Sequence, residues 1–154
     1  MDKLQTVTLM EDLKLLHQFQ MHKIELLIDQ KDVDELTTTS KTQCPFGELL
    51  YANEIHLTNI LGLIFFKKID TFHDSWHREY IKVYDIFEDY STSKNRKKGF
   101  FSKFAGVSKV SEMDIDEAKL YYSELISISS ELISTLDMCK RRVSALSETK
   151  FTEA

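Results

Sequence analysis

Residues 66–87 read Phe-Lys-Lys-Ile-Asp-Thr-Phe-His-Asp-Ser-Trp-His-Arg-Glu-Tyr-Ile-Lys-Val-Tyr-Asp-Ile-Phe, and this stretch decides the fold. Residues at steps of three and four along it form one face of a helix, and most of them are apolar. That face comprises Phe66, Ile69, His73, His77, Tyr80, Tyr84 and Phe87. Two histidines four residues apart lie one helical turn from each other, so the helix is predicted to present both imidazoles to the interior, close enough to share a metal ion.

The composition of the chain agrees with a helical domain. Of its 154 residues, 42% are hydrophobic and 29% are charged, with only one proline and four glycines. An all-β fold of this length needs more turn residues, so we predict a single all-α domain. The net charge of −5 argues against nucleic acid as the main partner.

The sequence also bears on the compartment. The longest apolar run, Ile60 to Phe66, is too short to cross a bilayer, so we predict no transmembrane segment. The N-terminus shows no basic region followed by an apolar core, so we expect no secretory signal. Two cysteines, Cys44 and Cys139, do not make a disulfide scaffold. We therefore expect a cytoplasmic protein.

A first helix is predicted from about Leu4 to Gln30. Its apolar stripe is spaced by four, three and four residues and consists of Leu15, Phe19, His22 and Leu26. His22 is therefore expected to face the core, either as a hydrogen-bonded core histidine or as a metal ligand. His17 lies off this stripe and is predicted to be a surface or rim residue.

The next motif begins at Cys44. Pro45 suits the first position of a helix, which places the Cys44 sulfur at a helix N-terminus. The partial positive charge there favours the thiolate, the form that binds zinc. Gly47 allows a close approach of another backbone segment. The alternative is a small buried cysteine beside a loop.

The C-terminal part is predicted to be a connecting loop (91–113), a long helix (114–147, capped by Ser111 or Asp114) and a tail (148–154). The helix carries a heptad seam with two weak positions, Ser129 and Cys139. The seam comprises Ala118, Tyr122, Leu125, Ser129, Leu132, Leu136, Cys139, Val143 and Leu146. Within the loop, residues 94–104 combine basic and aromatic side chains. They form either a solvated connection or a surface for an acidic partner or anionic lipid.

Three segments together offer four donors: His22, Cys44 and the pair His73 and His77. Three imidazoles and one thiolate make the closed tetrahedral set of a stable zinc site. A closed set leaves no open position for catalysis, and the chain has no phosphate-binding loop or nucleophile elbow. We therefore expect no enzymatic activity. His56 has no partner at ligand spacing, so a surface or structural role is predicted for it.

The stretch Cys44-Pro45-Phe46-Gly47-Glu48-Leu49-Leu50-Tyr51 resembles the Cys-x-x-Gly-x-Trp-Leu-Tyr core of the chemoreceptor zinc-binding (CZB) domain family. His22 upstream and His73 and His77 downstream stand where that family keeps its other zinc ligands. The resemblance covers roughly residues 10 to 90. It departs at Glu48-Leu49, where the family usually has a basic residue and Trp, and it does not extend beyond Ser91.

The resemblance implies a four-helix bundle of the up-down type with a zinc site in its core, often as a homodimer. Residues 1–90 would form the zinc-binding core, and the C-terminal helix would complete the bundle or mediate dimerisation. Such domains belong to bacterial chemoreceptors or diguanylate cyclases, so chemotaxis or cyclic-di-GMP signalling is the expected output. The family also implies sensing of oxidants such as hypochlorous acid at Cys44. The chain would be a stand-alone sensor or a module separated from its output.

Two other functions are compatible with the sequence. One is a helical scaffold or adaptor in which the zinc is purely structural. The other is a haemerythrin-like di-iron protein that binds oxygen, which needs five or more histidines and bridging carboxylates such as Glu-x-x-His pairs. The chain has five histidines in total and no Glu-x-x-His motif, which argues against this second alternative.

Overall fold

The chain is mainly helical over the residues that the computed structural model describes, namely 1–96 and 110–152, with the backbone alone for 89–96; residues 29–44 are their longest non-helical segment. Six helices follow one another in these ranges: α1 (Lys3–Ile28), α2 (Pro45–Ala52), α3 (Glu54–Leu61), α4 (Leu63–Arg96), α5 (Glu112–Ala145) and α6 (Thr149–Thr152). No strand occurs in them, so the predicted all-α class and the long C-terminal helix are confirmed. No helix there is both long and apolar enough to span a bilayer.

The helix boundaries follow local sequence signals. Asp2 caps α1 by accepting a hydrogen bond from the Gln5 amide at 2.8 Å, and the Gln5 side chain accepts one from the Asp2 amide at 2.9 Å. Ser111 caps α5 by accepting from the Asp114 amide at 3.1 Å, which selects it over Asp114. Gly62 separates α3 from α4 with φ of 93°, a conformation that glycine adopts without strain.

Two regions of the C-terminal half depart from the predicted boundaries. Helix α4 continues to Arg96, past the start of the loop predicted for 91–113. The basic-aromatic surface predicted for 94–104 lies outside the described residues, apart from the backbone of 94–96. The predicted tail contains α6, whose Phe151 packs into the core.

The long helix α5 packs along α4 and α1, and α3 packs against α4. The heptad seam of α5 is buried in these contacts, except that Tyr122 and Leu146 are half-buried. The fully buried seam positions are Ala118, Leu125, Ser129, Leu132, Leu136, Cys139 and Val143. The seam is therefore occupied by the chain's own helices and is not free to pair with a second copy.

The core consists of two apolar clusters with polar side chains between them. One cluster joins the first half of α1 to α2, α3, the start of α4 and the end of α5. The other joins the end of α1 to the middle of α4 and the start of α5. We call the buried polar residues between the clusters the polar layer: His17, Gln20, His73, His77 and Ser129. The candidate metal centre lies in this layer.

Candidate metal centre

The thiol of Cys44 is held at the start of α2. Cys44 is the N-cap residue, Pro45 is the first helical residue, and the Gly47 amide donates a hydrogen bond to the Cys44 sulfur at 3.2 Å. This confirms the predicted position of the sulfur at a helix N-terminus. The cysteine is fully buried, so the sulfur faces other protein groups.

The imidazoles of His73 and His77 lie on one face of α4, and both face that sulfur. The Nε2 atom of each is 3.3 Å from Cys44 Sγ. A tetrahedral zinc ion with Zn–S of about 2.3 Å and Zn–N of about 2.0 Å separates sulfur from nitrogen by roughly 3.5 Å. The three ligand atoms all lie within 4.8 Å of one another, so the cluster has the dimensions of a metal site.

Hydrogen bonds on the far side of each ring orient the imidazoles. His77 Nδ1 lies 3.0 Å from the Thr39 carbonyl, which can only accept, so Nδ1 carries the proton and Nε2 presents its lone pair to the cluster. His73 Nδ1 lies 3.5 Å from the Tyr51 hydroxyl, which itself donates to Asp70 at 2.6 Å. Such outer partners fix the ring orientation of metal-binding histidines.

An ion-pair network holds the segment before Cys44 against α4. The Lys41 ammonium lies 3.0 Å from Asp70 and 3.3 Å from Asp74. The Lys41 carbonyl also approaches Gly47 so closely that a Cβ there would lie 1.7 Å from its oxygen. The close backbone approach predicted for Gly47 is therefore confirmed, and it brings α2 and α4 together at the thiol.

Burial controls the protonation of the cluster. It lowers the pKa of His77 to about 4 and that of His73 to about 2, with the neighbouring His77 adding to the effect on His73. Burial also raises the pKa of the Cys44 thiol, and it outweighs the opposing amides of Gly47 and Phe46. The thiolate expected from the helix N-terminus is thus not favoured without a metal. The neutral imidazoles are ready to bind one, and the thiol must lose its proton.

The predicted ligand His22 is not brought to this cluster. Its side chain is 60% exposed, and its Nδ1 lies 3.4 Å from Glu25 on the same helix. Leu15 and Phe19 of the same predicted stripe are 60% and 63% exposed. The prediction that this stripe faces the core is therefore wrong, because α1 buries a different face.

The buried face of α1 carries His17, so its predicted surface or rim position is also wrong. The His17 ring contacts Phe46 and Trp76 edge-on, and these two rings contact His73 and His77 respectively. Its pKa is lowered to about 4, by burial first and then by His77. His17 is not among the three residues whose ligand atoms lie within 4.8 Å, and it reaches the two histidines of that cluster through Phe46 and Trp76.

The two nitrogens of His17 have unequal surroundings. Nε2 lies 2.5 Å from the Ser129 hydroxyl of α5. Nδ1 is buried and has no hydrogen-bond partner among the described residues. Since a buried polar atom without a partner is rare and costly, this nitrogen points to a missing ligand.

Gln20 completes the α1 side of the centre, one turn after His17. It is 2% exposed, and neither its amide nitrogen nor its oxygen makes a hydrogen bond within the described part of the chain. Its carboxamide lies near the Cys44 sulfur and helps to lower that thiol's pKa, although the two groups do not have the geometry of a hydrogen bond. A cavity of about 290 Å³ is lined in part by Gln20, Gln43 and Pro45.

The remaining histidine and cysteine lie elsewhere. His56 donates from Nε2 to the Thr6 hydroxyl at 2.8 Å, which ties α3 to α1. Cys139 is fully buried in the first apolar cluster, and burial raises the pKa of its thiol to about 11. Neither residue adds a donor to the centre.

Comparison of the chain with protein-family models, with curated proteins and with solved structures finds no match. A buried cluster of one sulfur and two imidazole nitrogens could hold a metal ion. In the same polar layer, an imidazole nitrogen of His17 and the carboxamide of Gln20 are buried without hydrogen-bond partners among the described residues.

Proposed function

We propose that this protein is a zinc-binding regulatory module, in which Cys44, His73 and His77 hold the ion and His17 supplies a fourth ligand. The observation that carries the proposal is the buried cluster itself, with its sulfur 3.3 Å from two imidazole nitrogens. One thiolate with imidazoles favours zinc among the common biological metals. A di-iron centre would need bridging carboxylates, and this cluster contains none.

His17 replaces His22 in the proposed ligand set. If the Nε2 proton of His17 is donated to Ser129, Nδ1 keeps a free lone pair. A closed zinc site needs four ligands, and this nitrogen is buried without a partner on a ring that contacts Phe46 and Trp76, which in turn contact His73 and His77. The set of three imidazoles and one thiolate predicted from the sequence is thereby retained, with one histidine exchanged.

The proposed architecture is a four-helix bundle of the up-down type, with α2 and α3 together taking the second position. The distribution of the two apolar clusters supports it, because α1 and α4 pass from the first cluster to the second and α5 passes back. Zinc would then link α1, α2 and α4 near the middle of the bundle, between the two apolar clusters. A homodimer would use a surface other than the buried seam of α5.

Regulation would follow from metal occupancy. Zinc would fix three helices relative to one another, and its loss would release them, altering a chemotaxis or cyclic-di-GMP partner. A two-electron oxidant that converts the Cys44 sulfur to sulfenic acid would weaken its ligation and have the same effect. Unchanged zinc content after treatment with one equivalent of hypochlorous acid would contradict the oxidant pathway.

The first test is the metal content of the purified protein, with two matched pairs of variants. Cys44→Ser is compared with Cys139→Ser, and His17→Gln with His22→Gln. We expect about one zinc per chain, lost or weakened in Cys44→Ser and His17→Gln and retained in the other two. Two irons per chain, or no metal without chelators present, would overturn the proposal. Loss in His22→Gln but not in His17→Gln would restore the original ligand set.

A second measurement separates a sensor from a scaffold. The zinc dissociation constant is determined by competition with a chromophoric chelator at neutral pH. A value near the free zinc concentration of the cytoplasm is expected for a sensor, because occupancy must change within that range. Zinc that leaves only when the protein is denatured would instead indicate a structural ion.

A further inference from the structure

The contact between α5 and the metal centre passes through Ser129. Ser129 lies in the buried seam of α5 between Leu125 and Leu132, both fully buried. A serine in such a seam lowers its apolar content, and the sequence pattern gives no reason for it. In the structure its hydroxyl meets His17 of α1, 112 positions away in the chain, at 2.5 Å.

The direction of the hydrogen bond between His17 and Ser129 decides which ring nitrogen of His17 can bind a metal. A neutral imidazole has one N–H donor and one lone pair, and its protonated nitrogen is selected by the partner that accepts the proton. When the Ser129 oxygen accepts from Nε2, the lone pair is left on Nδ1. That nitrogen is buried without a partner, next to rings that contact His73 and His77.

We propose that Ser129 is a positioning residue of the metal centre, which holds His17 in the metal-binding tautomer and thereby transmits zinc occupancy to α5. The inference rests on the proposed function and deepens it by naming the helix that responds. The centre touches α1, α2 and α4 through its proposed donors, and the Ser129 hydroxyl adds a polar contact from α5. Loss of such an outer partner typically weakens metal binding by about 10–100-fold.

The test is a double-mutant cycle on zinc affinity. Ser129→Ala removes the hydroxyl without lowering helix propensity, Ser129→Thr keeps a hydroxyl, and Ser130→Ala at the exposed neighbour is the control. We expect Ser129→Ala to weaken zinc binding by at least tenfold, Ser129→Thr to restore part of it, and Ser130→Ala to match the wild type. In the His17→Gln background, Ser129→Ala is expected to add less than a twofold loss, because it acts through His17.

Amide hydrogen exchange of residues 122–136 reports the transmission to α5. We expect zinc to slow exchange there in the wild type and in Ser130→Ala, and this effect to disappear in Ser129→Ala. If His17→Gln loses zinc but Ser129→Ala keeps wild-type zinc affinity and wild-type amide protection, the inference about Ser129 is overturned and the proposed function stands. If His17→Gln kept full affinity, the fourth ligand of the proposed function would fail first, and the inference would fail with it.

Discussion

Because Gly47 has no side chain, the backbone of α2 lies close to the Lys41 carbonyl, next to the Cys44 thiol. A Cβ there would lie 1.7 Å from the Lys41 oxygen, which is backbone and cannot rotate away. We expect Gly47→Ala to lower the free energy of unfolding by about 3 kcal/mol, the upper end for overpacking, and to weaken zinc binding as well. Chemical denaturation and chelator competition measure the two effects.

Gly62→Ala is the matched control for this substitution. Gly62 has open space around it but a φ of 93°, so alanine there is strained without touching a neighbour. A loss of about 1–2 kcal/mol in stability is expected, with zinc affinity unchanged. Equal effects of both substitutions on zinc binding would show that Gly47 acts only through general stability.

Gln20 is the residue whose burial has the least structural justification. Two buried polar atoms without partners each cost about 1–3 kcal/mol, and leucine would remove both at similar volume. We expect Gln20→Leu to stabilise the metal-free protein by about 1–2 kcal/mol, measured by urea denaturation with a chelator present. Gln18→Leu, at an exposed position of the same helix, should change stability by less than about 0.5 kcal/mol. Destabilisation by Gln20→Leu would mean that the carboxamide has partners in solution.

Among the helices, those that supply donors should respond together to metal removal. The proposed donors come from α1, the start of α2 and α4, whereas α6 supplies none. We expect chelation of zinc to speed amide exchange in residues 13–24, 37–47 and 70–80, and to leave 149–152 unchanged. Hydrogen-exchange mass spectrometry measures this, and Cys44→Ser should show no response to zinc. An equal increase along the whole chain would indicate global unfolding instead.

Helix α1 shows that hydrophobic periodicity alone does not identify the buried face of a helix. Leu15, Phe19 and His22 have helical spacing, and so does the face that is buried, which carries Leu13, His17, Gln20 and Ile24. The buried face is the more polar of the two, so apolar content selects the wrong one. Only knowledge of what lies opposite, the Cys44 thiol and Ser129, favours the polar face.

For the molecule as a whole, acid should destabilise the metal-free fold. Burial lowers the pKa of His17 and of His77 from the ordinary value of 6.5 to about 4. Between these values the unfolded chain binds protons that the folded chain does not, so stability is complete above pH 6.5 and falls as the pH drops towards 4. The expected slope is up to about 1.4 kcal/mol per pH unit for each histidine.

Urea denaturation of the metal-free protein between pH 7 and pH 4.5 measures this slope. His77→Gln should reduce the slope by the contribution of one histidine, up to about 1.4 kcal/mol per pH unit. The exposed-site variant His22→Gln should have the same slope as the wild type. A flat profile over that range would show that the buried histidines take up protons without unfolding.

The sequence predicts the parts of the fold that depend on local rules. The helix of His73 and His77 and the cap at Ser111 follow from periodicity and backbone preferences, and both are confirmed. The same rules place Cys44 at a helix start. The buried face of α1 depends instead on contacts between residues more than 100 positions apart, which no local pattern contains.

The polar layer also restricts how the long helices can align. The apolar clusters on either side present aliphatic side chains at successive turns of α1 and α5, which restrict a slide of one helix past the other less than polar contacts do. Such a slide would move His17 away from Ser129 and against Leu125 or Leu132, and both polar groups would lose their partner. Together with the ion pairs Lys14–Asp137 and Glu11–Lys140 and the hydrogen bond from Tyr122 to Glu25, this contact between a histidine and a serine favours a single register of α1 on α5 before any metal binds.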